Sequence, residues 1–374
     1  MARNTRKGAI LPRLDSLNCS KCMLCENVCP ILNIQGPRDQ FKALSTGIFY
    51  ATDAEIFAYS SSGGATGAIL KYLFDNNVVD CAVVTGVSGK HAQPKLIRSA
   101  DDISRIQGSK YQPVALNEIL GEIPVGERFA FVGLPCHIDG LRRLSKHNKK
   151  IRNGLTLAIG IYCTIGRGML GTDAALNGSA GMTGDLCYRY GEYPGKMGFL
   201  DNKKFGILAP FVSFLEQFDY LFYPKGCHYC DDLYNAQADI SIGDSWGLGC
   251  GKSAIVMART GIGEETINNA EMNGMLCKVR SASNEENYAT QQHSYDYKII
   301  NYYSRMKSLA PFTNKVIKGL LPVSRNRERY LPHYLLLYFF GALLNNRFGY
   351  RVATSDLCRK FLLKIRNKLL RSVI

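Results

Sequence analysis

The sequence predicts a mixed α/β protein, of α+β or α/β class, with a small cysteine-rich module, two α/β lobes and a basic helical tail. Three observations carry that expectation. Four cysteines crowd into residues 19–29. Short apolar runs bounded by glycine and proline then alternate with segments of helical composition. From residue 357 onward, apolar positions recur every four residues among lysines and arginines. The expected boundaries are 1–40 for the module, 41–127 and 128–310 for the lobes, and 311–374 for the tail.

The module is Cys19-Ser-Lys-Cys22-Met-Leu-Cys25-Glu-Asn-Val-Cys29-Pro30 and its flanks. Three thiolates at two-residue spacings, then a fourth three residues further on and followed by proline, form the 4Fe-4S run of bacterial ferredoxins. Short loops let the sulfurs share one small cavity, and backbone N–H groups donate to them. Structural zinc is the alternative, but zinc sites pair one CxxC with a second pair far away. The module is therefore ferredoxin-like, and the chain handles electrons. A full bacterial ferredoxin carries two such runs, each lending its fourth cysteine to the other cluster. This chain has one. Either Cys29 completes a single cluster, or a distant cysteine supplies the fourth ligand.

The whole composition fits that reading. A chain of 374 residues with 46% hydrophobic content is long enough for two or three domains with sizeable cores. Thirteen cysteines would suit a secreted disulfide scaffold, but Met1 to Asp15 holds no apolar signal core, so a cytoplasmic location with reduced thiols is expected. The longest apolar run, Tyr334 to Leu344, has eleven residues, short of the roughly 20 that span a bilayer. The net charge of +15 is concentrated in the tail, where Arg347 to Ile374 carries eight Lys or Arg against the single acid Asp356.

The first lobe opens on Ser60-Ser-Ser-Gly-Gly-Ala-Thr-Gly67, followed by helical composition over Ala68 to Asn76 and an apolar strand over Val78 to Thr85. A Ser/Gly loop opening a helix offers free N–H groups and a positive dipole end to a phosphate. An ordinary flexible turn has the same composition, and the loop is neither a Walker loop nor a GxGxxG fingerprint. Gly108-Ser-Lys-Tyr-Gln112 follows, where Lys110 suits a phosphate and Tyr111 a stacked ring, or where both belong to a solvated turn.

The second lobe repeats one design. Arg128 to Gly133 is a strand ending in Leu134-Pro-Cys136-His137, and Leu155 to Tyr162 is a strand ending in Cys163. Both cysteines fall at carboxyl ends of buried strands, the edge where open α/β sheets hold ligands. A single buried cysteine is usually a small hydrophobe. Two in one topological place say more, and Cys227-His-Tyr-Cys230 adds a close pair, so Cys136, Cys163, Cys227 and Cys230 suffice for a second four-thiolate site. Zinc or unrelated thiols are the alternatives. Ala238 to Gly247 reads as a strand and an acidic turn at Asp244. Ser253 to Thr260 is another core strand, and Glu264 to Met275 a helix with acids in its first turn.

In their order along the chain, these motifs resemble the family of coenzyme F420 hydrogenase/dehydrogenase beta subunits, which are iron–sulfur flavoproteins. The matching pieces are the ferredoxin run, Ser61-Ser-Gly-Gly64, Gly108-Ser-Lys-Tyr111, Gly133-Leu-Pro-Cys136, Gly160-Ile-Tyr-Cys163, the Cys227–Cys230 pair with Ala238 to Asp244, and Arg259-Thr260-Gly261. The resemblance covers roughly Asn18 to Gly274, and the tail after about Ala310 lies outside it. It implies an FAD between the two lobes beside a 4Fe-4S cluster held by Cys136, Cys163, Cys227 and Cys230. It further implies flavin contacts at Ser62, Gly63, Gly64, Thr66, Ser109 and Lys110, with Asp244 as a turn former or ribose contact. Family members act on the deazaflavin coenzyme, on a chlorophyll side group, or between ferredoxin and disulfides. Others of similar length resemble proteins of bacterial surface-polysaccharide gene sets.

The expected function is an oxidoreductase that passes electrons between a one-electron donor of ferredoxin type and a two-electron small-molecule or deazaflavin substrate. His91 and His137 are candidate proton donors at that substrate, or else ordinary histidines of a polar surface. Cys81 is expected in the core, and Cys250 is a candidate for a missing cluster ligand or a redox thiol. Two competing classes remain: a flavin-free electron-transfer subunit of a larger redox complex, and a zinc-stabilised binding module. On the tail, Leu357, Phe361, Ile365, Leu369 and Val373 line one helix face among six basic residues. Residues 357–374 thus suit peripheral contact with the inner membrane face or an acidic partner, or packing on their own domain. Nucleic acid is not an expected partner, since the basic residues lack interleaved aromatics.

Overall fold

The computed structural model describes residues 2–4, 9–177, 179–218 and 222–309, with positions 339 and 364 standing alone further on. The tail expected over 311–374, including the basic helix at 357–374, lies outside the described residues.

The N-terminal strands β1 (Ala2–Asn4) and β2 (Ala9–Leu11) pair antiparallel. The cysteine run follows as a loop around one short helix, α1 (Leu24–Asn27). The Asn33 amide ties the loop by donating to the carbonyls of Glu26 and Cys29 at 2.7 and 2.9 Å. Then come β3 (Ser45–Ala51), α2 (Ala54–Tyr59), α3 (Ala65–Asp75), β4 (Cys81–Ser88) and β5 (His91–Ile97). The chain continues through β6 (Phe129–Gly133), α4 (Pro135–His147), α5 (Lys149–Gly154), β7 (Leu155–Ile161) and α6 (Met169–Ala175).

A separate three-stranded antiparallel sheet follows, β8 (Asp185–Tyr190), β9 (Lys196–Asp201) and β10 (Lys204–Pro210), with α7 (Phe211–Phe218) against it. The last strands are β11 (Ile240–Asp244), β12 (Ala254–Ala258) and, after α8 (Gly261–Met272), β13 (Leu276–Ser281). The described chain ends in α9 (Asn284–Tyr295), a π-turn over Asp296–Ile300 and α10 (Tyr302–Leu309).

Eight strands form the main sheet in the order β13-β3-β12-β11-β7-β6-β4-β5. The central four, β11, β7, β6 and β4, run parallel, and the strands outside them pair antiparallel. Parallel strands need both faces covered, which explains their near-continuous apolar runs. Adjacent side chains go to opposite faces. Val84 joins Ile69 and Leu73 of α3 and Ile267 of α8 on one side. Val83 and Phe131 meet Ile138 and Leu141 of α4 on the other. The result is a doubly wound sheet.

The strands and helices expected between residues 68 and 275 are present with small shifts in their ends. The helix expected from Glu264 begins at Gly261, because the Thr260 hydroxyl caps it by accepting from Gly263 N–H. Cys81 is fully buried at the start of β4, as a core cysteine should be. Segments 41–127 and 128–310 both contribute strands to the one large sheet, with β3 inserted between β12 and β13. The small sheet and the helices after residue 283 have no counterpart among the elements expected from sequence, although Leu186, Tyr188 and Tyr190, and then Met197 and Phe199, alternate as strand residues do.

Candidate functional site

Because β6, β7 and β11 are parallel, their carboxyl ends lie on one edge of the sheet. Cys136 and Cys163 follow β6 and β7 there, and Asp244 closes β11. A cavity of about 1000 Å³ opens at this edge. Of the residues expected at a flavin, Ser62, Gly64, Thr66, Ser109, Lys110 and Asp244 all line it, together with Cys163 and His137. Loops separated by more than a hundred residues in sequence thus converge.

The loop before α3 is built by its glycines. Gly63 and Gly64 have φ of +73° and +79°, and a Cβ on Gly63 would meet the Ser253 Cα at 2.7 Å. Any other residue would strain the turn and collide with the 252–253 backbone. Gly63 lies behind the cavity wall, whereas the first residues of α3 face in. No side chain caps that helix end. The Ser61 hydroxyl accepts from Ser109 N–H at 2.8 Å, which joins the two expected cofactor loops. Lys110 donates to the carbonyls of Ile106 and Gln107, and burial pushes its pKa down to about 7.

Asp244 has a partner that the sequence did not announce. Arg189, on β8, is almost wholly buried and donates to both Asp244 oxygens at 2.9 and 3.0 Å and to the carbonyls of Ser61 and Pro194. Its guanidinium lies over the rings of Tyr193, Phe211 and Trp246. Ser62 donates its hydroxyl to the same carboxylate. The pair therefore clamps the small sheet to the cavity wall. Nothing in Tyr188-Arg189-Tyr190 distinguishes such an arginine from a surface one.

The two histidines part company. His137 lines the cavity, but its Nδ1 accepts from Leu134 N–H at 3.3 Å and burial lowers its pKa to about 4. At neutral pH it is an uncharged helix cap. His91 begins β5 beside the β4–β5 turn and is not among the residues lining the cavity.

The inner cysteines form one electrostatic group beside the cavity. Burial raises the pKa of Cys136, Cys163 and Cys227, and nearby sulfurs push in the same direction, taking Cys227 up to about 12. Cys136 is nonetheless exposed at the surface of this group, and Cys163, Cys227 and Cys230 are half-buried. Gly166 leaves room for Cys227, since a Cβ there would lie 3.2 Å from its Sγ. Among these thiols sits Lys298, only 1% exposed, whose Nζ donates to Cys230 Sγ at 3.3 Å and to the carbonyls of Cys163 and Asp232. Burial works against its charge, but the sulfurs of Cys230, Cys163 and Cys227 outweigh burial and the pKa rises. Arg305, fully buried, donates to the carbonyls of His228, Cys230, Tyr297 and Lys298.

A buried ammonium beside four thiols fits an anionic thiolate-bound group, because neutral thiols would leave most of its charge uncompensated. Among the described residues, no three Cys, His, Asp or Glu side chains converge closely enough for a single metal ion.

The N-terminal run packs against this region from outside. Cys19, Cys22 and Cys25 are exposed and Cys29 half-buried. A Cβ on Gly140 of α4 would lie 3.7 Å from the Val28 carbonyl, and one on Gly226 3.4 Å from Ile31. Ile31 and Ile34 join Tyr229, Tyr302, Met306 and Leu309 in one apolar cluster. That cluster connects the run to the Cys227–Cys230 loop.

Two family models match the chain. Residues 49–121 match the N-terminal part, and residues 126–283 the C terminus, of the coenzyme F420 hydrogenase/dehydrogenase beta subunit. The chain belongs to that family. A solved structure of the F420-reducing [NiFe] hydrogenase complex of Methanosarcina barkeri contains a chain of the same fold. That chain aligns at a TM-score of 0.59 and 17% identity, over 74% of this chain and 96% of its own length. The beta subunit of coenzyme F420 hydrogenase in Methanococcus voltae is 28% identical over 60% of this chain and 80% of its own. One of the subunits of the F(420)H(2) dehydrogenase of Methanosarcina mazei is 33% identical over 39% of this chain and 41% of its own. The coenzyme F420-dependent sulfite reductase of Methanocaldococcus jannaschii is 28% identical over 67% of this chain and 40% of its own. This chain therefore spans about two-fifths of the last two relatives. The family is one of oxidoreductase subunits. No described helix is long and apolar enough to cross a membrane. Lys298, Arg305 and the cavity-lining residues of α9 lie beyond both matched segments.

Proposed function

We propose that this chain is an electron-transfer subunit of a larger redox assembly, with two thiolate-bound iron–sulfur sites in series. The observation that carries the reading is the serial packing of three parts. The exposed Cys19–Cys29 run meets the Cys227–Cys230 loop through Ile31, Ile34 and Tyr229, and Cys163 of the inner group lines the cavity. Relatives named as subunits of a hydrogenase and of a dehydrogenase support a protein that works with other chains. Bound iron–sulfur groups would exchange single electrons, and a flavin, if held, would couple them to two-electron chemistry.

The chain's own residues would divide that work. Cys19, Cys22, Cys25 and Cys29 hold the outer group at the surface, where a redox partner reaches it. Cys136, Cys163, Cys227 and Cys230 hold the inner one. Beside the module, Arg38, Arg142, Arg143 and Lys146 line a small surface pocket around Asp139, and a partner of ferredoxin type with an acidic face would suit it.

One observation favours the fuller reading of an FAD-containing oxidoreductase. The cavity of about 1000 Å³ is dinucleotide-sized, reaches the uncapped start of α3, and carries Lys110 on its wall. Ser62, Gly64, Thr66, Ser109 and Lys110 would orient the cofactor there, and a deazaflavin or other small molecule would occupy the rest. Anaerobic purification with assays of iron, sulfide, zinc and extractable flavin tests both readings. About four to eight irons without flavin support the electron-transfer subunit, and about eight with one FAD support the flavoprotein. Zinc without sulfide would sink both.

A further inference from the structure

The helices after residue 283 add something the matched segments do not contain. They cross the open side of the sheet edge. The Thr164 and Ser294 hydroxyls bond at 2.8 Å, and Asn287 bonds Tyr162. The break between α9 and α10 is a π-turn, a rare geometry that is frequent at functional sites. That turn carries Lys298 inward, and α10 carries Arg305 behind it.

Two fixed positive charges thus stand within or just behind the four-cysteine group. Asp232 is the buried acid that faces them, and its carboxylate is already engaged by the backbone N–H groups of Asn235 and Ala236 at 2.8 and 2.9 Å. Asp231 lies next to it, with burial raising its pKa to about 6.

We infer that Lys298, backed by Arg305, is a positioning and charge-compensating residue that raises the reduction potential of the group held by Cys136, Cys163, Cys227 and Cys230. The inference rests on the four-thiolate reading given above. One-electron reduction adds a negative charge to an already anionic group, with no bond broken. Burial alone disfavours that added charge and lowers the potential. A cation 3.3 Å from Cys230 Sγ stabilises the reduced state more than the oxidised one, and low dielectric strengthens the effect. The exposed cysteines of the outer run have water in that role, where charges are screened. The two cations therefore offset the burial of the inner site and make it a workable acceptor for electrons entering at the outer one.

The test uses the full-length protein, purified without oxygen and reduced stepwise with dithionite as the one-electron donor, followed by electron paramagnetic resonance. In Lys298→Gln the inner signal is expected to titrate at lower potential. At the wild-type midpoint, its reduced-to-oxidised ratio falls about tenfold, equivalent to about 59 mV. The outer signal is the internal control and stays in place, and Lys298→Arg keeps the inner midpoint within about twofold in that ratio.

An unchanged inner midpoint in Lys298→Gln with iron retained overturns the inference and leaves the four-thiolate reading intact. If Lys298→Gln sheds the inner iron, Lys298→Arg separates charge from packing. Retention in the arginine variant supports the charge role, and loss in both overturns it. A wild-type protein holding iron only at the outer run refutes the four-thiolate reading itself, and the inference with it.

Discussion

On the proposed reading, the two cysteine groups solve the same problem in opposite ways. The outer run keeps three of its four thiols at the surface on a loop with one short helix, and takes its order from local sequence. The inner group gathers one cysteine after β6, one after β7 and two from the loop near residue 227. It surrounds them with Lys298, Arg305 and buried polar partners. Locally specified sites are cheap to form and open to partners. A site assembled from distant loops is only partly open and is electrostatically adjustable, but it depends on the whole fold.

The sharpest way to break this contrast is by single ligands. Cys227→Ser is expected to remove about four of about eight irons, and Cys22→Ser a separate four. Unchanged iron content in Cys227→Ser would show that the inner group binds none. Next in size is thiol reactivity in the iron-free protein. Cys22 has its pKa lowered by the Leu24 N–H and the Ser20 hydroxyl, whereas burial holds Cys227 near 12. At pH 8 the thiolate is the reactive form, so alkylation of Cys227 should be on the order of 100-fold slower. Peptide mapping after timed alkylation checks this, and equal rates would mean the inner site is not buried without its metal.

Stability separates the regions further. Arg305→Met removes a donor from four buried carbonyls, and about 3 kcal/mol of unfolding free energy should go with it. Lys21→Met on the exposed run should change it by no more than about 0.5 kcal/mol. Denaturant titration distinguishes the two. The smallest effect is in pH. Burial lowers the Lys110 pKa from 10.5 to about 7 in the folded chain. The unfolded chain then binds more protons above pH 7, so this group adds stability as pH rises from about 7 toward 10. The gain is about 2 kcal/mol between pH 7 and 9. Lys110→Met should flatten that part of the stability curve.

The same contrast marks how far the sequence could be read. The outer run is visible as a motif because its spacing is local, with Cys19, Cys22, Cys25 and Cys29 in one eleven-residue stretch. The core strands were legible because buried parallel strands must be apolar on both faces, as β4, β6 and β7 are. The cavity was half legible. The glycines at 63 and 64 and the loop at 108–111 carry turn and cofactor signals, but their meeting through Ser61 and Ser109 needs three dimensions.

Two features were not legible at all. Arg189 and Lys298 look in sequence like any surface basic residue, and their burial follows from what packs over them. The segment over 284–309 announces only its start, through the Ser283–Glu286 capping box, and where its π-turn aims Lys298 is set by packing.

By itself, then, the sequence determined the family and the core strands and helices, because those depend on motif order and on local hydrophobic period. The tertiary structure alone decided that Asp244 is tied to Arg189, that His137 is an uncharged helix cap, and that a buried ammonium stands among the inner thiols. Those are long-range pairings, governed by burial and charge compensation, and neither quantity is visible until the chain has closed on itself.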